Sequence, residues 1–408
     1  MSKNFDELFR EIVTIMRTDY AGAALTGDRF DPRYYNTAIG QAWHDHRLDD
    51  LTFLRYISQM LACTGDHSLQ FRQLPDENYT PWSPGFFVRR FEDSLYVTAV
   101  NGDTHLHMGD RIIAVNRGAP SRHRDAIQKN FFYSDTPERE QWHGLLKMAD
   151  SITVLRGEKE IVLPIEHHPL SAPVCPAGLD IDSRGIAILR PGAFDGSGTA
   201  AHLLESGKAV LAKCKGLIID LRCGCGDTEE DFYPLLPLLT VSDTPADTLL
   251  DTEFMALYTQ RNCSLLAAAA DDDEFTQYLA AQNHRGFTAE SFSSDDMIPA
   301  GRTVPTAVLA DTWCRDAAER FVQAAKRANV PVIGRTTLGT IDTAAQVNYA
   351  MDERFVFTWP TAVTVQAHNG NGVMHHGIAP DIPVPWTPEE FLHDVTAETA
   401  AEYLLGLS

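Results

Sequence analysis

The sequence predicts an α+β protein of several domains: a helical N-terminal region, a β-rich middle and an α/β C-terminal half. Three observations predict it. Apolar residues recur at helical spacing in the first 63 residues, short β-like runs follow from about Pro81, and strand and helix patterns alternate from Gly185 onward. A chain of 408 residues is long enough to bury two or three separate cores.

The helical region is expected over 1–78. Phe5, Leu8, Phe9, Ile12, Val13 and Met16 share one helical face, and Leu51, Leu54, Ile57 and Leu61 share another. The second helix runs into Gly65-Asp66-His67-Ser68, which leaves His67 just past a helix end. Residues 79–168 read as β-rich, with runs at 85–88, 95–100, 111–115, 152–155 and 161–163, and a helix opening at 138–142. After a proline-rich link at 168–176, residues 169–408 alternate. Strands are expected at 185–190, 216–222, 306–311 and 330–334, and helices at 198–213, from 316, and at 387–405; that order implies crossover connections. Within this half, 241–300 is an acidic insert with eleven Asp or Glu against two Arg. Its 265–279 portion reads as helical, and the insert is expected to be a solvated cap.

Thirty-four basic and fifty-six acidic residues give a net charge of −22, which argues against nucleic acid and anionic membranes as partners. No apolar run is long enough to span a bilayer and the first residues lack signal-peptide character, so a cytoplasmic location is expected. Seven cysteines fit reduced thiols better than a disulfide framework.

One stretch organises the functional reading: Val308-Leu-Ala-Asp-Thr-Trp-Cys-Arg-Asp-Ala-Ala-Glu-Arg-Phe321. An apolar strand there hands over to a helix near Arg315 and Asp316, a turn type that projects one side chain at a helix N-terminus. It resembles the nucleophile turn of the tail-specific, C-terminal-processing serine peptidases and their tricorn-core relatives, whose pattern is Ser-Ala-x-Glu. Here the pattern is Asp316-Ala317-Ala318-Glu319, with aspartate at the serine position. Residues 216–226 resemble the family's Gly-x-Ile-x-Asp-Leu-Arg-x-Asn-x-Gly-Gly, with Gly224 for the asparagine and Asp227 for the last glycine. His376-Gly-Ile-Ala-Pro-Asp-Ile-Pro-Val384 resembles its Gly-Ile-x-Pro-Asp-x-x-Val ending, and Met108-Gly-Asp-Arg-Ile-Ile-Ala-Val-Asn-Arg-Gly118 resembles a PDZ signature.

The resemblance implies a PDZ-like peptide-binding domain, with Gly85, Phe86 and Phe87 as the carboxylate loop, ahead of a crotonase/ClpP-like peptidase core. It implies His67 as the base, amides of Gly226 and Ala317 as the oxyanion hole, polypeptide as the partner, and no cofactor. It also marks what is missing. Thr340 stands where tail-specific peptidases place a lysine, and Met374 where tricorn-like members place a glutamate.

A carboxylate at 316 is a poor nucleophile, with its pKa expected to be lowered by the helix N-terminus. It also opposes a nearby oxyanion, since like charges ~4 Å apart cost about 4 kcal/mol at an effective dielectric near 20. Asp316 and Glu319 equally fit a helix capping box. Three alternatives keep chemistry at the site. A thiol of Cys314, Cys223 or Cys225 could attack with His67 as base; the same thiols with His67 or His375 could hold zinc; or Asp316 could serve as a crotonase-like acid or base.

Overall fold

In a computed structural model of the chain, residues 4–74, 82–123, 137–140, 142–169, 176–222, 224–291 and 296–407 are described. The N-terminal region is helical as expected. Helix Phe5–Thr18 starts with a reciprocal box in which the Asn4 side chain accepts from the Glu7 amide, and it buries Leu8, Phe9, Ile12, Ile15 and Met16. Helix Asp50–Ala62 is capped by Asp49. Helix Pro32–His44 lies between them, started by Asp31 with proline in its first turn; its mixed polar face gave no strong helical period.

These helices share a core with the far end of the chain. Leu8, Ile12, Phe53 and Ile57 pack on Phe355, Phe357 and Trp359. Those three belong to strand Phe355–Thr364, which is buried along its whole length. It pairs with Gln70–Gln73, Thr343–Ala350 and Glu253–Tyr258, and the last of these pairs with Gly286–Ser291.

The acidic stretch 241–300 is tied into this sheet, because Glu253–Tyr258 hydrogen-bonds to Phe355–Thr364. Helices Gln260–Ala269 and Asp273–Gln282 bridge its two strands, so the helical part was anticipated. A buried amide pins the insert down. Asn262 Nδ2 donates to Asp19 O at 2.7 Å and Leu257 O at 2.9 Å, while its Oδ1 accepts from Trp359 Nε1 at 3.0 Å. A satisfied buried amide of this kind fixes position, because any shift strands polar groups.

The β-rich middle is a five-stranded antiparallel meander of Phe86–Phe91, Ser94–Val100, Arg111–Val115, Ser151–Arg156 and Lys159–Pro164, neighbours in sequence order. Phe86, Leu95, Val97, Ile112, Trp142 and Val154 form its core. Instead of a continuous helix from 138, a 3-10 turn Pro137–Arg139 and a short helix Trp142–Leu146 lie against it.

The remaining sheet runs in the order Ile382–Pro383, Val332–Gly334, Thr306–Ala310, Gly216–Asp220, Ile186–Pro191 and Ala177–Ile181. All pairs are parallel except the last. Strands Gly216–Asp220 and Thr306–Ala310 are buried on both faces, which is why they read as unbroken apolar runs. Helices Thr199–Leu211 and Ala317–Arg327 cover one face. Helix Val395–Gly406 covers the other. The helix expected at 387–405 is broken in two, because Asp394 caps a fresh start by accepting from the Ala397 amide at 2.9 Å. Among the described residues no helix is long and apolar enough to cross a membrane.

Two contacts fasten the meander to the α/β core. Arg89 Nη2 lies 3.0 Å from Asp311 Oδ2, and Glu138 Oε2 lies 3.1 Å from Arg335 Nε and 3.7 Å from Arg89 Nη1. Beside this buried ion cluster, Trp386 packs edge-on against Phe91 and Tyr96, both at 6.2 Å between ring centres.

Candidate functional site

Asp311 ends the central strand and accepts from the Trp313 amide at 3.0 Å, turning the chain toward the helix that starts at Ala317. The turn closes on Asp316, whose backbone sits at φ 53° and ψ −126°. Non-glycine residues occupy such regions at a cost of about 1–3 kcal/mol and only where the surroundings hold them. Here the hold is visible: the Asp316 amide donates to Thr340 Oγ1 at 2.7 Å.

The expected capping box is absent. Asp316 occupies the N-cap position, yet its side chain makes no capping hydrogen bond. Glu319 turns inward and is fully buried. Its carboxylate accepts from the Thr337 hydroxyl, from Gly339 N at 2.7 Å, from Thr340 N at 2.5 Å and from the Thr340 hydroxyl at 3.0 Å. The chain of contacts is therefore Glu319 to Thr340 to Asp316. Arg139 braces the same loop by donating to Thr336 O at 3.1 Å and to Thr337 O. Thr340 thus holds the turn from the position where the family resemblance places a lysine.

The pKa expectation for Asp316 is reversed. Burial raises it, outweighing Arg315 and the Thr340 hydrogen bond, and the nearby Asp227 carboxylate raises it further. Desolvation penalises the charged form more than Arg315 and Thr340 favour it. The Asp316 side chain keeps 37% exposure, with Arg315 Nε 3.8 Å from its Oδ2.

The amide donors are also differently used than expected. Ala317 N donates to Gly226 O at 3.0 Å, and Arg315 N donates to Gly224 O at 3.3 Å. Residues 224–226 thus lie alongside the turn with the Gly224 and Gly226 carbonyls on its amides, so the Ala317 donor assigned to an oxyanion is already taken. On the opposite side Phe194 N donates to Cys225 O at 2.9 Å. Gly226 holds a φ of +107°, and a Cβ there would lie 2.0 Å from Phe194 O.

The thiols do not gather around an open site. Cys314 is completely buried, and its Sγ donates to Leu221 O at 2.9 Å. Cys225 is half-buried and in no disulfide; Cys223 lies outside the described residues. Among the described residues no group of three His, Cys, Asp or Glu side chains is placed to hold a metal ion.

His67 lies in the loop between helix Asp50–Ala62 and strand Gln70–Gln73, anchored by its neighbour Asp66, which accepts from the Tyr20 hydroxyl at 2.7 Å and the Ser68 amide at 2.8 Å. Burial pushes the His67 pKa down to about 4, with the charges of Arg139, Arg315 and His375 acting in the same direction. Arg315 belongs to the turn before Asp316. The sign of the linkage is definite. A folded-state pKa near 4 against 6.5 unfolded gives stability that is complete above about pH 6.5 and is lost as pH falls toward 4. The loss amounts to roughly 3 kcal/mol at about 1.4 kcal/mol per unit. His67→Gln should flatten that acid limb in urea denaturation measured from pH 7.5 to 4; an unchanged limb would reject the assignment.

The proposed carboxylate loop is covered. Gly85 N donates to Ser83 Oγ at 3.1 Å, and a Cβ on Gly85 would lie 2.5 Å from the His168 ring. Phe86 is a core residue at 1% exposure, and Phe87 stacks near His143 at 6.0 Å. Met374 is buried and its amide donates to Asp342 Oδ2 at 2.6 Å. Sequence reasoning missed Glu319 as a loop holder and Arg139 altogether. The only signal for the first was the Thr-x-Gly-Thr run at 337–340.

Residues 185–384 match the model of Peptidase family S41. No curated protein matches the chain in sequence. Among solved structures, mature CPAF complexed with lactacystin is 13% identical, over 98% of this chain and 97% of that chain, with a TM-score of 0.66. Mature CPAF is likewise 13% identical, over 98% and 96%, with a TM-score of 0.64. At that identity the likeness is one of fold.

Proposed function

We propose, from the premise that residues 185–384 form a peptidase-like core of family S41, that this chain binds polypeptide without serine-type proteolysis. In this reading residues 1–78 are a helical region, 79–168 a PDZ-like module and 169–408 a crotonase/ClpP-like core, with His67 the surviving member of a lost catalytic set. One observation carries the reading: the projecting residue of the strained turn is Asp316, and the Ala317 amide behind it already serves the Gly226 carbonyl. Acyl transfer needs an attacking group and free donors for the tetrahedral oxygen. Here the attacking hydroxyl is absent, and the Ala317 donor is engaged by Gly226 O.

A thiol mechanism through Cys314 is disfavoured by its complete burial. The acid/base alternative keeps one supporting observation, since a raised, partly exposed carboxyl at Asp316 is suited to proton transfer. The test is an incubation with unfolded casein alongside a binding titration with the same substrate. Binding without fragments is the expected result. Turnover that disappears in Asp316→Ala or Cys314→Ala would overturn the proposal.

A further inference from the structure

We infer that residues 224–227 form a latch that keeps the amide cradle of this site shut, and that Asp227 is what holds the latch closed. The inference rests on the reading of the site given above, and concerns why exchanging Asp316 for a hydroxyl would not by itself rebuild the chemistry.

Successive carbonyls of the segment point to opposite sides. Those of Gly224 and Gly226 accept from Arg315 N at 3.3 Å and Ala317 N at 3.0 Å, while that of Cys225 accepts from Phe194 N at 2.9 Å. Thr228 N then returns to Phe194 O at 3.2 Å. The segment is clamped between Phe194 and the turn. Opening the cradle requires only one bond to break, that between Ala317 N and Gly226 O.

A planar peptide turns over as a unit, so swinging the Gly226 carbonyl away reverses ψ of residue 226 and φ of residue 227 together. The same motion would point the Asp227 N–H where the carbonyl had been, beside the freed Ala317 N–H, and so create two convergent donors. Gly226, already at φ +107°, tolerates the change. Asp227 does not tolerate it equally. Its φ lies outside the positive region in this structure, and turning the peptide over drives it there. A residue with a Cβ populates that region on the order of tenfold less than glycine does. A glycine at 227 would leave the flip unopposed; the aspartate biases it shut. Its exposed carboxylate adds to this, because it already raises the pKa of Asp316 and would oppose any anion entering the opened cradle.

Two measurements on the full chain test this. The first is hydrogen–deuterium exchange at the Ala317 amide. Asp227→Gly should speed it at least tenfold, while Asp227→Ala, which removes the charge but keeps the Cβ, should leave it within about twofold of wild type. Strand Thr306–Ala310 provides the internal standard of an intact fold. The second is reaction with a fluorophosphonate, in which a hydroxyl oxygen bonds phosphorus, fluoride departs and the hydroxyl proton passes to a base. Asp316→Ser alone should label no faster than wild type, and Asp316→Ser combined with Asp227→Gly at least tenfold faster, with the adduct mapped to position 316. Equal labelling of the single and double variants, or an Ala317 amide equally protected in Asp227→Gly and wild type, would overturn the latch. Casein turnover by the wild-type chain would instead sink the reading beneath it, so the two failures are distinguishable.

Discussion

Glu319→Ala is expected to lower stability by about 3–5 kcal/mol, since several buried donors lose their acceptor at about 1–3 kcal/mol each and do not add fully. The size follows from what is left behind. Gly339 N, Thr340 N and the hydroxyls of Thr337 and Thr340 all donate to this one carboxylate, which has no exposure to solvent. An alanine leaves those buried donors without their acceptor. Glu319→Gln keeps one acceptor oxygen but turns an NH2 group toward donors, so an intermediate loss is expected. Urea titration is the measurement, with a shifted midpoint and an unchanged slope as the signature of a stability effect. A loss below about 1 kcal/mol for the alanine variant would mean that the 337–340 loop is held by something else, at odds with the ordinary worth of such hydrogen bonds. Because Thr340 holds the Asp316 amide, the same variant should also release the strained turn, visible as faster amide exchange across 314–318.

Asp311→Ala is the second large effect, again about 3–5 kcal/mol, and for a related reason. Asp311 is 1% exposed and faces Arg89 at 3.0 Å and Arg335 at 3.8 Å. Removing it takes away the acceptor of Arg89 and leaves the two guanidiniums with Glu138 and the more distant Glu390, 3.8 Å from Arg335, so Arg89 loses its shortest buried partner. Arg89 comes from the meander and Asp311 from the end of the central core strand. The loss should therefore fall on the junction. Strand Phe86–Phe91 and the segment around Trp386 should lose exchange protection before strand Gly216–Asp220 does. Uniform loss across all three would show that the cluster supports the whole core instead. Asp311→Asn, which can still accept from the Trp313 amide, should cost less than the alanine.

Much of the architecture was legible because it depends on local pattern. The helical faces of Phe5–Thr18 and Asp50–Ala62, the apolar strands Gly216–Asp220 and Thr306–Ala310, and the short alternating runs of the meander are each specified by nearby residues. Helix Pro32–His44 escaped because only Tyr35, Ile39 and Ala42 are buried on it, too few for a strong period. The sheet membership of the acidic insert was not legible, because its charge describes its outer surface, whereas strand Glu253–Tyr258 joins a sheet whose partner lies about a hundred residues away in sequence, at Phe355–Thr364. Nothing in a short window reports such pairing.

At the site, the sequence by itself determined chemical identity: aspartate at 316, threonine at 340, methionine at 374, and a strand-to-helix turn to present the first of them. The tertiary structure alone decided how those groups are used. It turned Glu319 from a cap into a buried loop holder, shut Cys314 away, placed the Gly226 carbonyl on the Ala317 amide, and let burial raise the pKa of Asp316. The physical reason is common to all four. Which acceptor wins a donor, and how much water a carboxylate keeps, depend on segments brought together from distant parts of the chain, and residue types in sequence order carry no record of that competition.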